Sequence, residues 1–475
     1  MLQVQQVEYF QLPMKTRLPF RYGIAELTEL PHLFVRATVE IDGQTVQGIS
    51  ADGLTPKWFT KDPETSYEDH DLPQMLNVIQ QAGRMATSAG ISGSWFDWWF
   101  RTYFSVATWG RSQQVAPLLV SLGFSLHERA VLDAVCRHYQ QPLHQLIRSN
   151  QLQIDLTAVR PDLTNGDPAA ALPTSPSEAV IVRHTVGLSD PLTAADMNDV
   201  SRPNDSLPLT LEENIQQYGL THFKIKLSGN SAADVDRLQV IAELCHRTMD
   251  SAARFTLDGN ENYRNISEFR SQWEILLQNE TVRKFVDQSL LFVEQPIHRD
   301  HALAESVRTE VLSWAGAPPL IIDESDCEFS SLPTAMEMGY RGTSHKNCKG
   351  IVKSLANAAS IAQHRSAGRE FILSAEDLGN VGPIALLQDL AVVSMLGIKH
   401  VERNGHHYFA GLNHLPADLQ MQVVDSHEDL YRWQSELASL QIHDGRLKLG
   451  SVNDAPFGCA VWPNIESIAL PLTAS

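Results

Sequence analysis

The sequence predicts an α/β fold: a TIM-type (β/α)8 barrel with an α+β capping domain assembled from both ends of the chain. Three observations predict it. From Leu209 onward, short apolar strands alternate with helical stretches of about 10–15 residues, the signature of parallel βαβ units. The polar residues that close these strands, Lys226, Asp258, Glu294, Asp323 and Lys346, recur every 23 to 36 residues, near the roughly 30-residue unit of a barrel of about 250 residues. The first 50 residues instead alternate with period two, as a small antiparallel sheet does.

Taken in order, VEYFQL and LFVRATVEI lead to the Asp42-Gly43 pair and TVQGIS, which reads as a hairpin. From Ser66 the spacing turns helical, with Leu72, Met75, Leu76, Ile79 and Ala82 on one face. Trp95, Trp98 and Trp99 follow as core residues. One further helix is expected through LLVSLGFSLHERAVLDAVCRHYQQPLHQLI. Residues 157–210 are rich in Pro, Ser, Asp and Thr, and EAVIVRHTVGL within them reads as the first barrel strand. Helix LEENIQQYG, strand HFKIKL, helix AADVDRLQVIAELCHR, strand RFTLDGN, helix ISEFRSQWEILLQN and strand LLFVEQP come next. The short strands after Asp425 need a partner sheet and are placed against the N-terminal one. The expected division is a capping domain of residues 1–150 completed by 425–475, and a barrel of residues 151–424.

The chain of 475 residues carries 37 Lys and Arg against 56 Asp and Glu, a formal net charge of −19. That balance excludes a nucleic-acid partner, which requires surplus cations. With 43% hydrophobic and 20% charged residues, the chain can bury a large core. The five cysteines are scattered, lack CxxC spacing and read as reduced thiols of a cytoplasmic protein. Neither a signal peptide nor a long apolar span is visible, so no membrane partner is expected. A homo-oligomer is expected.

The strand ends carry the chemistry. In FKIKL, side chains alternate, so Phe223, Ile225 and Leu227 face the helices while Lys224 and Lys226 face the barrel interior. Two buried ammonium groups are costly unless carboxylates or a bound anion answer them. Three following strands each end in an acid: FTLD at Asp258, LLFVE at Glu294 and LIID at Asp323. Around neighbouring barrel strands these converge at the C-terminal mouth, where barrel active sites lie. Three carboxylates in a dry cavity call for a cation, and oxygen-only ligands select Mg²⁺, or Mn²⁺. On the next strand, in RGTSHKNCKG, Lys346 and Cys348 share a face; Lys349 and Lys353 compete with Lys346, and periodicity does not choose between Lys346 and Lys349.

In order and spacing, KxK (Lys224, Lys226), DGN (Asp258 to Asn260), VEQP (Val293 to Pro296), DES (Asp323 to Ser325) and a lysine on the next strand resemble the enolase superfamily. More narrowly, they are similar to the muconate-lactonizing and dipeptide-epimerase branch of the mandelate racemase group. The resemblance implies a modified barrel with its cap. It implies Mg²⁺ held by Asp258, Glu294 and Asp323, with Asn260 and Glu324 just outside the metal's ligands. It also implies acid/base roles for Lys226 and Lys346 on opposite faces of a small carboxylate, with Lys224 binding that carboxylate or orienting Lys226. Physical chemistry supports the set: a proton beside a carboxylate is feebly acidic, and a divalent ion stabilises the enediolate formed by its loss. A lysine serves as base only when its proton affinity is lowered, by desolvation and by a neighbouring ammonium such as that of Lys224.

Specificity in such enzymes comes partly from cap loops, here Pro19 to Ile24 and Ala51 to Phe59. Arg21 either meets a distal anionic group or stays in solvent; Tyr22, Trp58 and Phe59 are placed at the pocket, as are Glu376 and Asp377 of FILSAEDLGN. The eighth strand reads HVER where dipeptide epimerases carry an Asp-x-Asp pair, which counts against a dipeptide. His298, His406 and His407 read as surface residues or as residues behind the site. Three acids, one divalent ion and three charged lysines leave a cationic pocket suited to a small anion. The expected activity is metal-dependent α-proton abstraction, with a racemase or epimerase, cycloisomerase or dehydratase outcome. The rivals are a non-catalytic organic-acid-binding homologue and a Schiff-base lyase.

Overall fold

Period-two alternation near the N-terminus produces three long antiparallel strands, β1 (Leu2–Tyr22), β2 (Ala25–Ile41) and β3 (Gln44–Gly53). They are seen in a computed structural model that describes residues 1–197, 202–249, 251–434 and 436–472. Ile41 pairs with Gln44 across a turn in which Asp42 and Gly43 have φ of 51° and 81°, the left-handed pair that a two-residue hairpin requires. Along β2, Val35, Ala37, Val39 and Ile41 are buried while Arg36, Thr38 and Glu40 are not. The buried face meets three helices, α1 (Leu72–Ser88), α2 (Trp95–Ser112) and α3 (Pro117–Tyr139).

Helix α3 is buried on all sides from Leu118 to Cys136, as befits a central helix. It presses on β3 so closely that a Cβ at Gly48 would lie 2.1 Å from the Ala130 carbonyl oxygen. The single helix expected over this stretch is in fact two. Gln140 turns left-handed with φ of 52°, and a short helix begins at Leu143. Pro142 is the cause: it has no N–H to donate, and its ring clashes with the preceding turn of a continuing helix.

The βαβ pattern gives eight barrel strands: β4 (Ala179–Val186), β5 (His222–Lys226), β6 (Arg254–Asp258), β7 (Leu290–Glu294), β8 (Leu320–Ile321), β9 (Gly342–His345), β10 (Ile372–Ala375) and β11 (His400–Arg403). Parallel pairing runs β11-β4-β5-β6-β7-β8, and an Ile322–Thr343 bridge carries it on to the β9-β10 pair. The register sets Lys226 beside Asp258 and Asp258 beside Glu294. Phe223, Ile225, Phe255 and Leu257 alternate with these polar residues and are fully or almost fully buried. Each such side chain contributes about 1.5–3 kcal/mol of hydrophobic stabilisation.

The tail divides its pairing. Strands β12 (Tyr431–Gln434) and β13 (Leu437–Leu440) form a hairpin, β14 (Arg446–Lys448) lies antiparallel to barrel strand β4, and β15 (Leu470–Pro471) pairs with β1. Only the last of these lies on the N-terminal sheet, where all were expected. The five cysteines are unpaired, and among the described residues no helix is long and apolar enough to cross a membrane.

Candidate functional site

Alternation along β5 sends both lysines into the barrel. Lys224 is 1% exposed, and its Nζ lies 3.0 Å from Asp258, 2.8 Å from Glu294, 3.0 Å from Glu376 and 3.0 Å from Glu402. Burial alone would depress this ammonium, but the four carboxylates overcome it and hold Lys224 well above an ordinary lysine. Lys224 is therefore a fixed cation at the barrel centre. Lys226, one layer nearer the mouth, lies 2.6 Å from Asp258 Oδ2.

The three strand-end acids are answered unequally. Burial opposes the charge of Asp258, yet Lys224 and Lys226 hold its carboxyl down at about 2. Asp323 accepts from Ser344 Oγ at 2.6 Å and is flanked by two lysines; burial is again outweighed, and its carboxyl is held well below the usual range. Glu294 is fully buried and neither of its oxygens receives a hydrogen bond. Burial, then the charge of Glu376, push it well above an ordinary carboxyl in spite of Lys224. Among the described residues no three acids or histidines stand as a ready metal-coordinating group, because ammonium groups occupy Asp258 and Asp323. The donor set nevertheless fits a hard divalent ion: it is all oxygen, and Glu294 in its midst is a buried carboxyl without a hydrogen bond, ion-paired only with Lys224 at short range.

Strand β9 stops at His345, so strand alternation does not extend to Cys348 as expected. Lys346 is extended, with φ of −145°, and Asn347–Lys349 form a tight 3₁₀ turn. The turn brings both candidate lysines to Asp323: Lys346 Nζ lies 2.5 Å from Oδ2 and Lys349 Nζ 2.7 Å from Oδ1. Lys349 is further held by the Ser344 carbonyl at 3.0 Å. Lys346 borders the cavity described below, with the Trp58 ring 5.0 Å from its Nζ. Burial opposes its charge, but Asp323 raises it above the ordinary value. Lys353 belongs elsewhere, 3.3 Å from Asp326.

Lys224, Lys226, Asp258, Asp323 and Lys346 border a small, partly open cavity of about 30 Å³. Phe20, Tyr22, Leu27, Trp58 and Leu378 form its apolar wall; Thr55, Glu324, Asp377, Glu402 and Asn404 are its other polar neighbours. Tyr22 and Trp58 thus stand where the sequence placed them. Phe59 does not: it backs Trp58 edge-on, with ring centroids 4.9 Å apart. Arg21 also turns away, its half-exposed guanidinium paired with Glu26 across the hairpin. Glu376 lies at the floor, held by Arg183 and Lys224. Asp377 accepts the Asn380 N–H at 2.7 Å and the Asn404 N–H at 3.1 Å, and burial raises its carboxyl to about 6. Glu324 Oε1 accepts the Trp58 indole N–H at 3.1 Å while its Oε2 has no partner. Burial, then Asp323, lift Glu324 to about 7. Asn260 donates its N–H to Asp258 at 2.9 Å and accepts that of Gly23 at 3.1 Å, which ties the cap turn to the barrel.

His298 is partly exposed, in keeping with the surface expectation. His406 and His407 are buried, so the surface reading fails for them: His184 Nδ1 meets His406 Nε2 at 3.0 Å in a packed cluster. Asp258, Glu294, Asp323, Glu376 and Glu402 face Lys224, Lys226, Lys346, Lys349 and Arg183, an even balance. Glu402 and Arg183 were missed, although the period-two spacing of HVER and of VIVRHTV places both on the interior face. A far larger groove, about 750 Å³, opens between α2 and the barrel helices near Phe329, but none of the site lysines or metal-candidate acids borders it.

No family model matches the sequence, and no curated protein matches it. Solved structures do. A muconate lactonizing enzyme from Pseudomonas fluorescens, complexed with muconolactone, is 14% identical with a TM-score of 0.61, covering 98% of this chain and 99% of that one. A dipeptide epimerase from Enterococcus faecalis V583, complexed with Mg and the dipeptide L-Leu-L-Tyr, is 15% identical with a TM-score of 0.60 over 96% and 99% of the two chains. An enolase-superfamily member from the same organism is 13% identical with a TM-score of 0.59 over 99% of both. The chain has the fold of these enolase-superfamily structures, a modified (β/α)8 barrel with an α+β capping domain.

Proposed function

We propose that the chain abstracts the α-proton of a small carboxylate, with Lys226 and Lys346 as acid/base residues and with Asp258, Glu294 and Asp323 holding Mg²⁺, for which Mn²⁺ is a chemical substitute. One observation carries the reading. Lys226 ends β5 and Lys346 follows β9, four strands apart around an eight-stranded ring, and both border one small cavity at the C-terminal end of the strands. An α-carbon held between them has an amine on each side.

Phe20, Tyr22 and Trp58 exclude water from that position, which strengthens every charge interaction inside. Lys224 is committed to its four carboxylates and fixes the floor of the site rather than moving a proton. A divalent ion held by Asp258, Glu294 and Asp323 would supply positive charge to the substrate carboxylate and offset the negative field that now raises Lys346. One lysine takes the proton. Return of a proton by the other inverts the centre, as in a racemase or epimerase, while departure of a β-substituent gives a dehydratase or cycloisomerase outcome.

The test is solvent deuterium exchange at the α-carbon of a panel of acids, with Mg²⁺ and after chelation. Exchange that requires the metal supports the reading; ligand binding that persists in chelator with no exchange from any acid supports a non-catalytic binding protein instead.

A further inference from the structure

We infer that the acid handled here carries an uncharged apolar substituent, aryl or alkyl, on its α-carbon, and not a second carboxylate. The inference rests on the proton-abstraction reading and follows from the walls of the cavity. Phe20, Tyr22, Leu27, Trp58 and Leu378 come from β1, β2, the loop after β3 and the loop after β10. Their polar atoms are already engaged away from a ligand: Tyr22 Oη donates to the Pro56 carbonyl at 2.9 Å, and the Trp58 indole N–H donates to Glu324. What they offer is ring and methyl surface.

A second carboxylate would need a cation, because an unpaired buried charge is far costlier than apolar contact. Among the described residues bordering the cavity the only cations are Lys224, Lys226 and Lys346. The first is surrounded by four carboxylates, and the other two flank the reacting carbon. Both guanidinium groups near this end of β1 are turned elsewhere. Arg17 is buried against Asp205 and the carbonyls of Leu207, Pro208 and His407, and Arg21 pairs with Glu26. The cavity of about 30 Å³ holds roughly one water, so the substituent takes its place by displacing the aromatic wall.

The experiment measures α-deuterium exchange by the Mg²⁺-loaded full chain on 2-phenylpropionate and 2-methylbutyrate against 2-methylsuccinate, with calorimetric titration of the same three acids. The expected result is kcat/KM at least about tenfold higher for the two apolar acids, with binding in the same order. Leu378→Arg, which puts a cation on the partly exposed wall, is expected to move the preference toward 2-methylsuccinate by about tenfold. Equal or better exchange of the diacid overturns the substituent class and leaves proton abstraction standing, as does an unchanged preference in Leu378→Arg. Tighter binding of the apolar acids with no exchange from any acid overturns proton abstraction and leaves the pocket chemistry standing; no exchange with no preference in binding overturns both.

Discussion

Glu128, midway along α3, accepts the backbone N–H of Ile351 at 2.8 Å. The same carboxylate accepts the Val352 N–H at 3.1 Å and the Trp99 indole N–H at 2.8 Å. It therefore caps the helix Ile351–Ser366, whose first turn follows directly on Lys346 and Lys349, and places an anion at the positive end of that helix. Glu128→Ala leaves these donors buried without a partner, so a loss of about 3–5 kcal/mol in urea unfolding is expected. Glu128→Gln, which keeps a carbonyl acceptor, should lose less than half as much.

The two lysines on Asp323 should separate by function. Lys346 borders the cavity and Lys349 does not. Lys346→Met is expected to fold, and to lower α-deuterium exchange by at least about 10²-fold, the scale of a lost acid/base group. Lys349→Met removes the charged one of the two partners of Asp323 Oδ1, leaving only the Ser344 hydroxyl, and its main effect should be a loss of about 3 kcal/mol or more in stability. Calorimetric melting beside exchange rates tells the two apart.

Glu294 is the place where function works against stability. Both oxygens are buried and without hydrogen bonds, and burial and the charges of Glu376, Asp258 and Asp323 outweigh the Lys224 ammonium 2.8 Å away. In chelator, Glu294→Gln should match or exceed the wild type in stability, by about 1–3 kcal/mol. In Mg²⁺ the order should reverse, because the wild type gains metal-linked stability that the variant does not. Urea unfolding in both media reads the crossover.

Acid should destabilise the fold through buried histidines. His127 is fully buried, with Nδ1 2.7 Å from the Gly123 carbonyl and Nε2 3.0 Å from Tyr9 Oη, and burial lowers it from 6.5 to about 4. The unfolded chain takes up this proton below pH 6.5 while the folded chain does not, so the unfolded state binds more protons across the window. Stability is full above pH 6.5 and falls as the pH drops toward 4, by about 3 kcal/mol for this one group. His127→Gln should be weaker at pH 7 yet lose correspondingly less between pH 6.5 and 4, as read from urea midpoints.

The fold was legible because burial imposes a period. FKIKL, FTLD and LLFVE each showed which residues face helices and which face the barrel interior, and the lysines and acids stand there. Three features were not legible for physical reasons. The strand rule applied to RGTSHKNCKG overran β9, because a tight turn after His345 carries no period-two signal. The break of α3 was signalled by Pro142 but outweighed by continuous apolar spacing on both sides. Glu402 stood in plain view in HVER, yet its role depends on β11 closing beside β4 and so bringing it to Lys224, a contact between residues 178 positions apart. Glu128 likewise stands in the sequence as one of three consecutive polar residues, His127 to Arg129, with no local sign of its partner. Its use appears only when the cap meets the barrel.

The central claim is that Lys226 and Lys346 act on opposite faces of one α-carbon. The most direct test follows α-deuterium incorporation into each enantiomer of 2-phenylpropionate separately, in Mg²⁺, for wild type, Lys226→Ala and Lys346→Ala. The expected result is that wild type exchanges both enantiomers, and that each variant retains exchange of neither or of only one, the two variants sparing opposite enantiomers where any exchange remains. Full exchange of both enantiomers by Lys226→Ala, or by Lys346→Ala, would contradict the claim.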